Sequence, residues 1–183
     1  MKFSTTSHTL TATSAGAVQA LSADCDKVSL FAEAAMDFNV VPGAEGTLTV
    51  ATVTAAASNV KEVKTVTAAN SFGVGDVVRV SVASNNVDYT VTSADTTTTA
   101  AGIRAAIVAN STVNGLVDSS VSGDVVTLTR KTANTAFALT TAYVSRSVNH
   151  HIGANERLEL EVPAGSSVRA KASSGTLNIS ELD

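Results

Sequence analysis

Residues 157–180 read RLELEVPAGSSVRAKASSGTLNIS, three alternating stretches separated by turn signals at Pro163-Ala164-Gly165 and Ser174-Gly175. Apolar residues occupy every second position of each stretch, the pattern of a strand with one buried face. The sequence therefore predicts an antiparallel meander with one apolar face and one charged face. We predict that the charged face contacts a partner through Arg157, Glu159, Glu161, Arg169 and Lys171.

The same alternation appears in the first forty residues. It covers His8–Thr13, Asp26–Ala32 and Met36–Val41, after which Pro42-Gly43 marks a turn. The composition agrees, because the abundant Val and Thr are β-branched and fit a pleated surface, while aromatic residues are only 4% of the chain. We therefore expect a mainly β protein.

The middle of the chain differs because it combines strands with one predicted helix. In Ala100–Ala109, Ile103 and Ile107 lie four residues apart, and Asp95 or a nearby threonine is placed to cap the start. A tight turn is predicted at Ser84-Asn85-Asn86, since Asn tolerates a left-handed conformation. The surrounding strands are predicted at Val77–Ala83, Val87–Val91, Val125–Arg130 and Phe137–Val144.

This contrast predicts two domains, one inserted into the other. Residues 1–43 and 144–183 would form a discontinuous β-sandwich, of jelly-roll type or similar, and residues 44–143 a small inserted α+β domain with one helix. Such insertions are tolerated because domain termini often lie close together.

The C-terminal residues also carry a family resemblance. Residues 161–171, EVPAGSSVRAK, and 174–182, SGTLNISEL, resemble the ending of small β-sandwich virion proteins of tailed bacteriophages, and Leu21–Leu30 resembles their early strand. The resemblance implies a structural, non-enzymatic protein assembled in the host cytoplasm and located in the virion. The specific role that it implies is a capsid decoration (cement) protein, which binds the major capsid protein and stabilises the outer surface of the head.

The inserted segment carries a second resemblance. Residues 75–80, GDVVRV, then Tyr89-Thr90-Val91, the helix, and residues 123–129, GDVVTLT, resemble a repeat module of phage tail and capsid-associated proteins and of bacterial surface proteins. From the first resemblance we expect the sandwich to contact the capsid and the inserted domain to project outwards.

Two alternative functions remain open at this point. One is a tail or fibre module that recognises a host surface glycan; the absence of Trp and the presence of only two Tyr count against it, since sugar sites favour aromatic platforms. The other is a module of a bacterial surface protein. The start, Met1–His8, shows no secretory signal, which counts against that function.

Charge and composition predict which partners are absent. The net charge of -4 offers no basic field for nucleic acid, and no apolar run is long enough to predict a membrane span. Low charge and abundant Ala and Thr favour burial against further copies of the chain, and we expect a homo-oligomer, a trimer.

We predict no catalytic, cofactor or metal site. Cys25, the single cysteine, is expected to be a small buried side chain. His150 and His151 are expected to be a solvated or interfacial pair, because adjacent strand residues face opposite ways; a trimer axis gathering one His from each copy is the version of a metal site that stays open.

Overall fold

The computed structural model describes residues 4–182, so Met1, Lys2 and Phe3 of the start discussed above lie outside the described residues. The described chain is mainly β, with 53% strand, 11% helix, four antiparallel sheets and two helices. The predicted fold class, a β-sandwich accompanied by a helix-bearing α+β part, is confirmed.

The secondary structure follows the hydrophobic alternation closely. Strands begin and end where turn residues interrupt the pattern, as at Pro42-Gly43 after Val41 and at Pro163 after Glu161. The elements, in chain order, are β1 Ser4–Thr11, β2 Ala17–Ala20, β3 Lys27–Ala32, β4 Met36–Val41, β5 Thr47–Thr54, β6 Val63–Ala69, β7 Val77–Val82, β8 Asn85–Thr90, α1 Thr96–Ala109, α2 Ser111–Leu116, β9 Val117–Ser122, β10 Val125–Arg130, β11 Leu139–Ser145, β12 His150–Ile152, β13 Arg157–Glu161, β14 Ser167–Lys171 and β15 Thr176–Leu182.

The chain divides into two compact units. The first, which we call the sandwich unit, consists of Met1–Glu45 and Ser145–Asp183, and the second, the inserted unit, of Gly46–Val144. The sequence placed the corresponding limits at residues 43 and 144. Each unit has its own apolar core.

The sandwich unit contains two four-stranded sheets. The first sheet has the order β1-β15-β3-β13 and the second sheet the order β12-β4-β14-β2. If the eight strands of this unit are numbered along the chain, these orders become 1-8-3-6 and 5-4-7-2. That interleaving is the arrangement of a jelly roll.

The C-terminal strands do not form the predicted meander, and that prediction is wrong. Strand β13 pairs with β3 in the first sheet, β14 pairs with β2 and β4 in the second, and β15 returns to the first between β1 and β3. The predicted alternation is present, and each of these strands has one buried face. Alternation indicates only which side chains are buried, however, and the partner of each strand depends on where the chain crosses between the sheets.

The core of the sandwich unit lies between its two sheets. Val28 of β3 is completely buried and is paired in register with Leu160 of β13, which packs against the same core. The fully or nearly buried apolar residues of this core are Leu10, Ala12, Leu21, Cys25, Val28, Leu30, Ala32, Met36, Phe38, Ile152, Val162, Val168, Ala170, Leu177 and Ile179.

The inserted unit combines a four-stranded sheet, β5-β6-β10-β9, a three-stranded sheet, β11-β7-β8, and the helices. Helix α1 buries Ile103 and Ile107, as its spacing predicts, and the Asp95 carboxylate caps it by accepting from the Thr98 N–H at 2.7 Å. The sequence missed α2, which is only six residues long and depends on a second cap, the Asn110 side chain that accepts from Val113.

The turn between β7 and β8 differs in position from the prediction. The two residues with positive φ are Ala83 (48°) and Ser84 (65°), whereas Asn85 and Asn86 lie within β8. The Asn85 amide instead donates to the carbonyl oxygens of Val82 and Ala83. The side chain of Asn85, the first residue of β8, therefore stabilises the turn through these hydrogen bonds.

Candidate functional site

The middle of the outer face of the second sheet, around β14, is covered by the chain's own residues. Arg169, in the middle of β14, has no exposed surface, and its Nε donates to Glu45 Oε2 at 2.9 Å. The other oxygen of the same carboxylate accepts from Arg146 Nε at 3.0 Å, and Arg146 Nη1 donates to the Gly16 carbonyl at 2.6 Å. One carboxylate thus joins two guanidinium groups over this face.

Two further side chains of β14 bond to the same covering segments. Ser167 Oγ donates to the carbonyl oxygen of Gly43 at 3.2 Å, and Lys171 Nζ donates to Ser145 Oγ at 2.8 Å. Gly43 precedes the point where the chain leaves the sandwich unit, and Ser145 is where it returns. The β14 part of this face is therefore covered by the segments that lead into and out of the inserted unit.

These contacts correct part of the predicted partner surface. Arg169 is fully buried in the unit and is not available to a partner, and Lys171 is half-buried and bonded to Ser145. Both belong to the second sheet, so they do not share a face with Arg157, Glu159 and Glu161 of β13. The alternation placed each residue on a polar side correctly, but it carried no signal of what covers that side.

The outer face of the first sheet is open. Arg157, Glu159 and Glu161 are exposed on β13, and Lys27 and Phe31 of the neighbouring β3 are half-exposed. Lys27 Nζ lies 2.9 Å from Glu159 Oε2. This hydrogen-bonded ion pair lowers the pKa of Glu159 and raises the pKa of Lys27, so both groups are charged at neutral pH.

Strand β13 is also the edge of the first sheet. Among residues 4–182 no strand pairs with its other side, which we call the open edge. Toward β3, Val162 N–H donates to Asp26 O at 2.9 Å and Ala32 N–H donates to Glu156 O at 3.2 Å. Bonded positions alternate in an antiparallel ladder, so the main-chain N–H and C=O groups of the three charged β13 residues face the open edge.

A groove lies between the open edge and the second sheet. It has a volume of about 240 Å³, and its apolar lining includes Phe38, Val40, Leu158 and Leu160. Phe38 is buried, and the ring of His150 lies over it with centroids 5.4 Å apart. Leu158 and Leu160 are half-exposed, so the groove presents apolar surface directly beside unpaired backbone groups.

A second depression borders the end of β13. It has a volume of about 510 Å³ and is lined by Asp26, Lys27, Glu161, Val162 and Pro163. Its charged rim shares Glu161 with the groove. Both concavities therefore surround the same short strand, which makes β13 the centre of the candidate site.

The three histidines have separate surroundings. His150 and His151 point to opposite faces of β12, where His151 Nδ1 lies 2.9 Å from Asp37 Oδ1. His8 Nε2 lies 2.8 Å from Glu181 Oε1. Within residues 4–182, no group of three His, Cys, Asp or Glu side chains has the geometry to hold a metal ion.

The buried acidic groups brace loops. Gly73 N–H donates to Asp76 Oδ2 at 2.8 Å, Phe137 N–H to Glu62 Oε2 at 2.6 Å, and Ser22 N–H to Glu181 Oε1 at 3.0 Å. Each carboxylate thereby satisfies a main-chain donor. Cys25 is 2% exposed and contacts the Lys27 carbonyl through Sγ at 3.4 Å, the environment of a packing residue.

The arrangement at β13 is suited to binding another protein. An edge strand offers main-chain hydrogen bonds, the groove offers apolar contact, and the charged side chains favour one register. Sequence reasoning found the three exposed β13 residues and missed the edge and the groove, because both depend on which strand lacks a neighbour.

No helix in the described part of the chain is both long and apolar enough to cross a bilayer. Comparisons with protein-family models, with curated proteins and with solved structures find no match to this chain.

Proposed function

We propose that this chain is a structural virion protein of a tailed bacteriophage, a decoration protein that binds the outer surface of the head and stabilises it. One observation carries the proposal: in the jelly-roll sandwich unit the chain itself covers the middle of one outer face, around β14, and no segment covers the charged residues of β13 on the other face. The C-terminal resemblance to small virion proteins supports the same assignment and names the partner, the major capsid protein.

In this proposal the open face of the first sheet is the capsid-binding surface. Phe31 supplies half-exposed apolar area beside Arg157, and Lys27 and Glu159 supply further charges on the same face. Exposed ion pairs contribute only about 0–1 kcal/mol each, so they fix orientation more than affinity. Most of the affinity comes from apolar and main-chain contacts that are repeated over many sites on a head, because multivalency multiplies weak binding.

A glycan-binding role has no comparable observation in its favour. Tyr89 packs against Gly102, and the Tyr143 hydroxyl donates to the Gly46 carbonyl at 3.0 Å, so both tyrosines are engaged inside the inserted unit. A sugar platform needs an aromatic face presented to solvent. Both tyrosines are only half-exposed and are packed or bonded in this way.

The test uses the full chain and heads that lack it, prepared from the phage that encodes it. Co-sedimentation measures binding, and electron microscopy locates added density on the head surface. Two variants place an acid at an apolar surface position: Phe31→Glu on the proposed surface, where Phe31 is half-exposed, and Val74→Glu in the inserted unit, where Val74 is 61% exposed.

We expect the unmodified chain and Val74→Glu to bind equally and Phe31→Glu to bind about tenfold or more weakly. We also expect decorated heads to resist heating or osmotic shock better than bare heads. If Val74→Glu abolishes binding and Phe31→Glu does not, the capsid-binding surface lies on the inserted unit instead. Density on the tail alone would reject the decoration role.

A further inference from the structure

We propose that two copies of this chain pair through their open edges, with the β13 strands antiparallel about a two-fold axis. The pairing would join the two first sheets into one continuous eight-stranded sheet. This inference rests on β13 and the residues beside it, and it does not depend on the proposed role on a phage head.

The backbone groups of β13 are in register for this pairing. A two-fold axis through Glu159 places Arg157 opposite Glu161 of the second copy and Glu159 opposite its own equivalent. These are the residues whose N–H and C=O groups face the open edge, so every opposed pair is a hydrogen-bonded pair. A shift by one residue would place Leu158 and Leu160, whose main-chain groups bond to β3, opposite residues that face the open edge, and the hydrogen bonds of the new pairing would be lost.

The outward side chains are complementary in the same register. Arg157 meets Glu161 of the second copy, and the reverse pair forms on the other side of the axis. The two Glu159 carboxylates approach one another, but each is already bonded to its own Lys27 at 2.9 Å, which offsets the like charge. The order of one cation followed by two anions along β13 therefore fits a reversed copy of the same strand.

The opposite side of the new sheet gains apolar contact. In this register Leu158 lies opposite Leu160 of the second copy, and both are half-exposed in the single chain. They line the groove beneath β13 together with Phe38 and Val40, so the pairing would extend an existing apolar surface. The occupant that fits both faces of β13 at once is therefore a second copy.

This geometry favours a dimer over the homotrimer expected from the composition. A three-fold axis cannot place a strand antiparallel to its own equivalent, whereas a two-fold axis does so directly. A paired open edge also removes a strand edge that would otherwise invite nonspecific association.

A charge exchange in the full chain tests the proposal. Sedimentation velocity at micromolar concentration, without particles, should show a dimer for the unmodified chain. Glu161→Arg alone or Arg157→Glu alone places like charges opposite at two symmetric positions, and each should weaken dimerisation about tenfold. The double variant Arg157→Glu with Glu161→Arg restores both pairs and should recover the dimer.

A second pair of variants tests the backbone bonds. Glu159→Pro removes an N–H that faces the open edge while leaving the ladder to β3 intact, and Glu159→Ala keeps that N–H. We expect Glu159→Pro to be monomeric and Glu159→Ala to dimerise. The proposal is overturned if the unmodified chain is monomeric or trimeric. It is also overturned if the double variant dimerises no more tightly than the single variants, or if Glu159→Pro still dimerises. Head binding by a monomer would leave the proposed function standing.

Discussion

Arg169 and Glu45 are separated by 124 residues in the sequence, yet Arg169 Nε lies 2.9 Å from Glu45 Oε2. Arg169 is completely buried, while Glu45 keeps 16% of its side-chain surface exposed. The bond ties the middle of β14 to the residue at which the chain leaves the sandwich unit. A buried guanidinium requires such partners, since an isolated buried charge is strongly destabilising.

Removal of the Glu45 carboxylate should therefore destabilise the sandwich unit. We expect Glu45→Ala to lower the free energy of unfolding by roughly 3 kcal/mol, because the buried Arg169 charge loses a bonded counter-charge. Asp24→Ala is the matched control, because it removes an exposed carboxylate of the same unit outside β13, and it should change stability by less than about 0.5 kcal/mol. Calorimetry of both variants checks this; equal transition temperatures would contradict it.

Acid should destabilise the protein through Glu181, whose side chain is 2% exposed. Burial acts to raise the pKa of this carboxyl, but hydrogen bonds from Ser22 and His8 outweigh it and lower the pKa below the ordinary 4.5. The folded state then binds protons less readily than the unfolded state. The resulting stability is present above about pH 4.5 and is lost as the pH falls through the lowered pKa.

The variant Glu181→Gln isolates this effect. It should melt at a lower temperature than the unmodified chain at neutral pH, and the gap should narrow as the pH falls below 4.5. Melting curves at a series of pH values measure the gap. A gap that stays constant across that range would show that the carboxylate charge has no part in the acid response.

Gly102 in α1 should resist replacement by alanine. Ala is favoured over Gly in a helix by about 1 kcal/mol, but a Cβ at residue 102 would lie 2.1 Å from the Tyr89 ring. Displacing a packed ring typically costs about 1–3 kcal/mol, so we expect Gly102→Ala to be destabilising. Gly115→Ala in α2, where nothing lies within 4 Å of the added Cβ, should be neutral or stabilising.

The tyrosine provides a direct check on that mechanism. In a Tyr89→Ser background the clash is absent, and Gly102→Ala should then become stabilising. The double-mutant cycle should give a coupling of about 1–2 kcal/mol. Additive effects of the two substitutions would mean that Tyr89 is not the cause.

Substitutions in the β7–β8 turn should raise the stability of the inserted unit. Ala83 and Ser84 both have positive φ, which costs a residue with a Cβ roughly 1–2 kcal/mol. Asn and Gly adopt this conformation readily, so Ala83→Asn with Ser84→Gly should stabilise the inserted unit by about 1 kcal/mol. Ala83→Val should have the opposite effect. Chemical denaturation of the three proteins measures it, and a stabilising valine would refute this explanation.

Part of the candidate site was predictable from local pattern. The exposure of Arg157, Glu159 and Glu161 follows from their alternation with Leu158 and Leu160, because strand side chains point alternately to two faces. The same rule failed for Arg169. Its position on the polar side of β14 is correct, but a segment from far along the chain covers it.

The sequence by itself determined the mainly β class, the position of most strands and of helix α1, because β-branched alternation, turn residues and capping act over a few neighbouring residues. Only the tertiary structure decided that β13, β14 and β15 separate into two sheets, that Glu45 covers the buried Arg169, and that β13 is left as an edge. The reason is physical: pairing and covering are contacts between residues distant in sequence, and alternation is compatible with many partners. The open edge on which the proposed dimer rests is therefore a property of the fold.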